Sequence, residues 1–191
     1  MLLVKSALDW AAVWHRDQIR KYPKVQVPYM SHVAGVANIL SRHGFRAEVV
    51  AAGALHDVLE DAGVTVEELT RRFGPGVAEL VRLCSEEDKS LSWEERKLRY
   101  LEAFVHKPWE AQAITLADKI DNFQSILVCA RDFGDPWAMF KRGQRAQLER
   151  FNALLSSARA LASHPLIDEY AQTLEALEGL DELTSPSPHG T

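Results

Sequence analysis

Cysteine is scarce in this sequence: Cys84 and Cys129 are the two thiols in 191 residues, with no CxxC spacing. That argues against a disulfide framework and leaves two reduced, buried cysteines as the expectation. Long apolar runs are missing too, and the N-terminus lacks the basic-then-apolar plan of a signal peptide. The expected protein is therefore cytoplasmic, with no membrane association. Glycines stand singly at segment ends, so no Gly-rich loop is available to cradle a phosphate. Nor is there an excess of positive charge: the net charge is −5, which argues against a broad nucleic-acid-binding surface. An anionic small molecule would need a local basic pocket. No pair of alternating runs is joined by a hairpin turn, which removes the usual signal for a sheet.

What is present is helical periodicity in almost every segment. With 47% apolar and 26% charged residues, the chain has the make-up of one well-cored domain. The expected fold is all-α, a single bundle of about eight to ten helices over residues 1–180, with a disordered tail at 181–191. Leu3, Ala7, Trp10, Ala11 and Trp14 form one face of a first helix over 2–20. A loop from Lys21 to Pro28 follows, and Ser31 is the expected N-cap of a second helix, with His32 in its first turn and Gly44 at its end. An apolar third helix from about Arg46 carries the chain to His56 and Asp57. Thr65-Val66-Glu67-Glu68 and Ser92-Trp93-Glu94-Glu95 read as capping boxes, and Pro75 and Pro108 as helix starts. A long helix from Pro136 to about Ala162 and a last one from His164-Pro165 to about Leu180 complete the bundle.

The densest chemistry lies in Leu55-His56-Asp57-Val58-Leu59-Glu60-Asp61, directly after an apolar run. In a continuous helix His56 and Glu60 share one face, and Asp57 and Asp61 the neighbouring one. Imidazole nitrogen mixed with carboxylate oxygen suits an open divalent site for Mn²⁺ or Fe²⁺ better than a closed thiolate zinc site. A surface or capping His-Asp pair is the plain alternative. A second signal is Leu116-Ala117-Asp118-Lys119, which sets a carboxylate inside an apolar helix at a cost of several kcal/mol unless it is paired or bound to metal. Asp118 is therefore the natural fourth ligand, whereas a lone His32 in a first turn reads by itself as a polar helix start.

The order His32, His56-Asp57, Asp118 on three separate helices resembles the HD-domain phosphohydrolases. Within them it is similar to the hydrolase domain of RelA/SpoT homologues and the small alarmone hydrolases, such as the metazoan SpoT homologue. The resemblance rests on Arg20-Lys21 with Pro28-Tyr29-Met30-Ser31-His32, on Leu55 to Asp61, on Phe73-Gly74-Pro75-Gly76-Val77-Ala78-Glu79-Leu80-Val81, and on Leu116 to Asn122. It implies that His32, His56, Asp57 and Asp118 hold one divalent ion, with Mn²⁺ expected. It further implies that Glu60 and Asp61 orient and deprotonate the attacking water, that Arg20 and Lys21 contact a guanine nucleotide, and that Asn122 lies beside the ribose. Lys89, Arg96 and Lys97 could form a cationic wall for a polyphosphate or simply a solvated helix face. The sequence departs from the family pattern at Val33, at Ala62 and over Leu83-Cys84-Ser85-Glu86. No nucleotide-packing aromatic residue can be placed between Pro136 and Ala162.

The implied activity is metal-dependent removal of the 3′-pyrophosphate of guanosine tetra- or pentaphosphate, giving GDP or GTP. The alternatives are an HD phosphohydrolase acting on NADPH or a nucleoside phosphate, and a non-catalytic nucleotide-sensing domain. The expected partner is a small-molecule nucleotide, not nucleic acid, and a homodimer is left open.

Overall fold

The computed structural model describes residues 2–85, 93–139 and 143–180, apart from the side chains of 93, 94, 96, 97, 138 and 139. Among these are α1 (Leu2–Trp14), α2 (Met30–Arg42), α3 (Ala47–Leu55), α4 (Val58–Asp61), α5 (Val66–Phe73) and α6 (Pro75–Cys84). Then come α7 (Trp93–His106), α8 (Trp109–Phe133), a 3₁₀ turn (Pro136–Met139), α9 (Gly143–Leu161) and α10 (Pro165–Glu178). Extended pairing among the described residues is a single bridge between Ile19 and Pro28. The all-α expectation is met. No helix among the described residues is long and apolar enough to cross a membrane. The expected Ser92 cap, Lys89 and the tail at 181–191 lie outside the described residues.

Several boundaries differ from the sequence reading for local reasons. The first helix stops at Trp14 rather than running to 20, because Arg20 N–H bonds Val27 O (2.8 Å) and Tyr29 N–H bonds Gln18 O (2.9 Å), folding 18–29 back on itself. Ser31 is not the N-cap of α2. Tyr29 takes that position without a side-chain cap, and the Pro28 and Tyr29 carbonyls accept from Ser31 and His32. The long helix expected from Pro136 divides into the 3₁₀ turn and α9, which begins at Gly143 with φ at 67°. The Thr65 cap is present, accepting from Glu68 N–H at 3.2 Å. The Glu68 carboxylate instead faces Arg72 Nε at 2.9 Å.

The centre of the bundle is α3. Every residue from Val49 to Leu55 is buried, as its packing against α1, α2, α6 and α8 requires of a helix apolar on all sides. The second axis is α8, buried continuously from Ala111 to Ala117 and packed on α2, α3, α6 and α10. Phe123 on α8 meets Phe151 of α9 and Tyr170 of α10 edge-on, at 4.6 Å and 5.0 Å between ring centroids. The crossing of α2 with α3 is close because Gly53 has no side chain: a Cβ there would lie 2.3 Å from Leu40 Cδ1.

That contact yields a prediction. Alanine at 53 gains up to about 1 kcal/mol of helix propensity, but overpacking a closed core costs about 1–3 kcal/mol, so Gly53→Ala should lower the melting temperature by a few degrees. A Cβ on Gly76 in α6 would meet nothing within 4 Å. Gly76→Ala should therefore raise the melting temperature slightly, and equal shifts in the two variants would contradict the close crossing.

Candidate metal centre and its cleft

His32 comes from the first turn of α2, His56 and Asp57 from the junction between α3 and α4, and Asp118 from the middle of α8. The Leu55–Asp61 stretch is not one helix: α3 ends at Leu55 and α4 begins at Val58. Adjacent residues of a regular helix point roughly 100° apart, whereas at this junction both side chains reach one cluster. His32 Nε2 lies 3.4 Å from Asp118 Oδ1 and 3.8 Å from Asp57 Oδ2. His56 Nε2 lies 2.9 Å from Asp57 Oδ2 and 3.9 Å from Asp118 Oδ1. Donors that share one ion at bonds of about 2.1 Å stand ~3–4 Å apart, a spacing close to that of the His32, His56 and Asp118 donors, which all lie within 4.8 Å of one another, while Asp57 Oδ2 stands beside both imidazoles.

The orientation of each donor is fixed from behind. His56 Nδ1 faces the Gly53 carbonyl at 2.9 Å and His32 Nδ1 faces Asp121 Oδ2 at 2.6 Å. Both acceptors take a proton from Nδ1, which leaves each Nε2 lone pair directed at the cluster. His56 Nε2 is buried and has no hydrogen-bond partner, since its approach to Asp57 is out of line for one. Asp118 accepts from Asn122 Nδ2 and from Lys119 Nζ, each at 2.5 Å, and Asp57 accepts from the Tyr29 hydroxyl.

Burial and charge oppose each other here. Burial alone would lower the His56 pKa, yet the Asp57 and Asp118 carboxylates outweigh it and raise it to about 9. Burial would raise Asp57 and Asp118, but His56 for the first and Lys119 with the histidines for the second hold both below the usual carboxylate range. Burial and the nearby Asp57 charge push the Tyr29 phenol upward, keeping it a neutral donor. A cluster whose carboxylates draw in a proton so strongly has a net demand for positive charge, and a divalent cation competes for the same nitrogen. The mixed imidazole and carboxylate set suits a first-row divalent ion.

Beside this cluster opens a cleft of about 460 Å³, lined by Arg20, Lys21, Tyr22, Asp61, Lys119, Asn122 and Arg150 among others. Lys21 is exposed at its rim. Arg20 is largely covered: its Nη2 donates to Ser125 Oγ (2.7 Å) and Asn122 Oδ1 (3.3 Å), and Nη1 stands 3.8 Å from Asp121. Asp61 is exposed on the cleft wall, and Glu60 is half-buried on the same short helix. Arg96 and Lys97 belong to α7, but their side chains lie outside the described residues, and Lys89 lies outside them altogether.

Sequence reasoning gave no role to Gln18, Lys119, Asp121, Arg150 or Phe151. Gln18 bridges His15 and Asp61: its Oε1 faces His15 Nδ1 at 2.6 Å and its Nε2 donates to Asp61 at 2.8 Å. Phe151 brings an aromatic ring from α9 to the cleft wall. Asp121 had the one visible signal, a second carboxylate one turn after Asp118.

Comparison with known proteins agrees with this geometry. An HD-domain family model matches residues 7–135, more than half of the chain. The chain belongs to the HD-domain family. Members of this family bind a divalent metal, and here His32, His56 and Asp118 form a buried group able to hold one, with ligand atoms within 4.8 Å of one another. Among curated HD-domain relatives is the Drosophila melanogaster guanosine-3′,5′-bis(diphosphate) 3′-pyrophosphohydrolase MESH1, 41% identical over 125 residues, covering 64% of this chain and 69% of that one. The Homo sapiens MESH1 is 38% identical over 126 residues, covering 65% and 69%. A solved structure described as a metazoan ortholog of SpoT that hydrolyzes ppGpp superposes with a TM-score of 0.79 at 30% identity, over 94% of this chain and 97% of that one.

Removing one donor should test the centre directly. His56→Ala and Asp118→Ala are expected to fold but to lose the divalent ion on dialysis, read by elemental analysis. Manganese should raise the melting temperature of the parent protein and leave that of Asp118→Ala unchanged, because only an ion that binds the folded state stabilises it.

Proposed function

We propose that this chain is a metal-dependent phosphohydrolase that removes the 3′-pyrophosphate of guanosine tetra- or pentaphosphate, giving GDP or GTP and pyrophosphate. The observation that carries the reading is a buried His32, His56, Asp57 and Asp118 cluster opening beside a basic cleft, in an HD domain whose relatives bear that activity as their name. In this reading the four residues hold one divalent ion, Mn²⁺ by expectation. When bound, such an ion supplies charge to a phosphoryl oxygen and acidifies a water.

The remaining chemistry belongs to the chain. Glu60 and Asp61 follow the His56-Asp57 pair on α4 and act as the acid–base pair, positioning water and accepting its proton. Gln18 keeps the Asp61 carboxylate at the cleft wall. The water oxygen joins the phosphorus attached to O3′, the O3′–P bond breaks, and O3′ takes up a proton as pyrophosphate leaves. A substrate with four or more negative charges must enter a protein of net charge −5, so local cations decide binding. Lys21, Lys119 and Arg150 face that cleft, where charge-assisted contacts to phosphate are strongest. Arg20 reaches the nucleotide from the same loop, and Asn122 lies beside its ribose.

Two measurements test this reading. Glu60→Gln should retain the ion and the fold while turnover falls by roughly 10²-fold or more, the scale of losing a general base. Unchanged turnover would shift the base to Asp61. With Mn²⁺ present, guanosine 3′,5′-bis(diphosphate) should be hydrolysed faster than NADPH or nucleoside monophosphates. A wide preference for a monophosphate would overturn the alarmone assignment and leave the HD phosphohydrolase assignment standing.

A further inference from the structure

We propose that Asp121 is a positioning residue of the metal centre, holding the His32 ring so that its Nε2 lone pair is presented to the ion. The inference rests on the metal-centre reading above and concerns a residue that touches neither the ion nor the substrate. Three observations carry it. Asp121 Oδ2 lies 2.6 Å from His32 Nδ1 inside the protein, with His32 only 2% and Asp121 9% exposed. A carboxylate only accepts, so the proton sits on Nδ1 and the opposite nitrogen is free to ligate. Second, space for this carboxylate is built into α2: a Cβ on Gly35 would stand 1.9 Å from Asp121 Oδ1 and 2.8 Å from its Cγ. Third, Arg20 places a guanidinium nitrogen 3.8 Å from the same Oδ2, a positive group that favours the ionised carboxylate at this place.

The arrangement follows a spacing in the sequence. Gly35 comes three residues after His32 and Asp121 three residues after Asp118, so each sits one turn along the same helix face as a ligand. Where α2 crosses α8, the pair His32 and Asp118 forms the front of the site, and the pair Gly35 and Asp121 forms its backing. A plain structural role, in which Asp121 only anchors the Arg20 loop through an ion pair, is the competing account. It places no demand on metal affinity.

The test titrates metal-stripped parent, Asp121→Asn, Asp121→Ala and Gly35→Ala proteins with Mn²⁺ by calorimetry, after circular dichroism has established a cooperative fold in each. Loss of such an outer partner weakens metal binding by about 10–100-fold. That loss is expected for Asp121→Ala, with Asp121→Asn between it and the parent because the amide oxygen still accepts from Nδ1. Gly35→Ala, which keeps the carboxylate but displaces it, should weaken the ion as well. The visible spectrum of the Co²⁺ protein should shift in Asp121→Asn, since the imidazole ligand loses its charged partner. Should Asp121→Ala fail to fold, Asp121→Asn and Gly35→Ala decide the question. Folded variants that bind Mn²⁺ as the parent does, with an unshifted Co²⁺ spectrum, overturn the proposal and leave the metal centre intact. A parent that binds no divalent ion overturns both.

Discussion

Two carboxylates and two imidazoles meet inside an apolar bundle, and their mutual electrostatics constrain everything around them. Asp57 and Asp118 cannot stay ionised there without compensation, because an unpaired buried charge costs several kcal/mol. Hydrogen bonds supply part of it, from Tyr29 to Asp57 and from Lys119 and Asn122 to Asp118. The imidazoles, each already holding a proton on Nδ1, supply the rest only by taking a second proton or by sharing a cation. A site of this kind is assembled from helices that are themselves held by ordinary core packing, with α3 buried along its whole length from Val49 and α8 buried from Ala111 to Ala117. The rigidity of that core is what keeps like-charged groups close.

Much of this was legible in the chain. His56 and Asp57 stood out at the end of an apolar run and Asp118 inside an apolar helix, while His32 joined them only through the order of the motifs and the family resemblance it carries. The helical class followed from periodicity and from the absence of hairpin signals. The boundaries that misled were set by longer-range contacts. Nothing local says that α1 must stop at Trp14; the stop is made by the pairing of Arg20 with Val27 and of Gln18 with Tyr29 across the loop. The break at His56-Asp57 was hidden for a similar reason, since Val58 to Asp61 is a respectable helix sequence whether or not α3 continues into it.

The supporting residues were harder to see than the ligands. Gln18 and Asp121 meet other side chains of the site, Asp61 and His32, and a partner's partner leaves little trace in periodicity or composition. Gly35 illustrates the point. In the sequence it is one more small residue in a helix, weakly unfavourable for propensity, and only the approach of Asp121 shows what its missing side chain leaves room for.

The loop from Gln18 to Tyr29 joins what would otherwise be separate parts of the molecule. Arg20 within it holds Ser125, Asn122 and Asp121 of α8, Gln18 holds Asp61, and Tyr22 packs edge-on against Phe133 at 5.7 Å. The same short segment thus furnishes part of the cleft wall and meets Asn122 and Asp121, the partners of Asp118 and His32. On the proposed function, substrate choice and metal retention are therefore not independent modules. A lineage that rewrites this loop to admit a different nucleotide inherits, in the same step, the task of re-bracing its metal, which confines the neutral paths open to such a change.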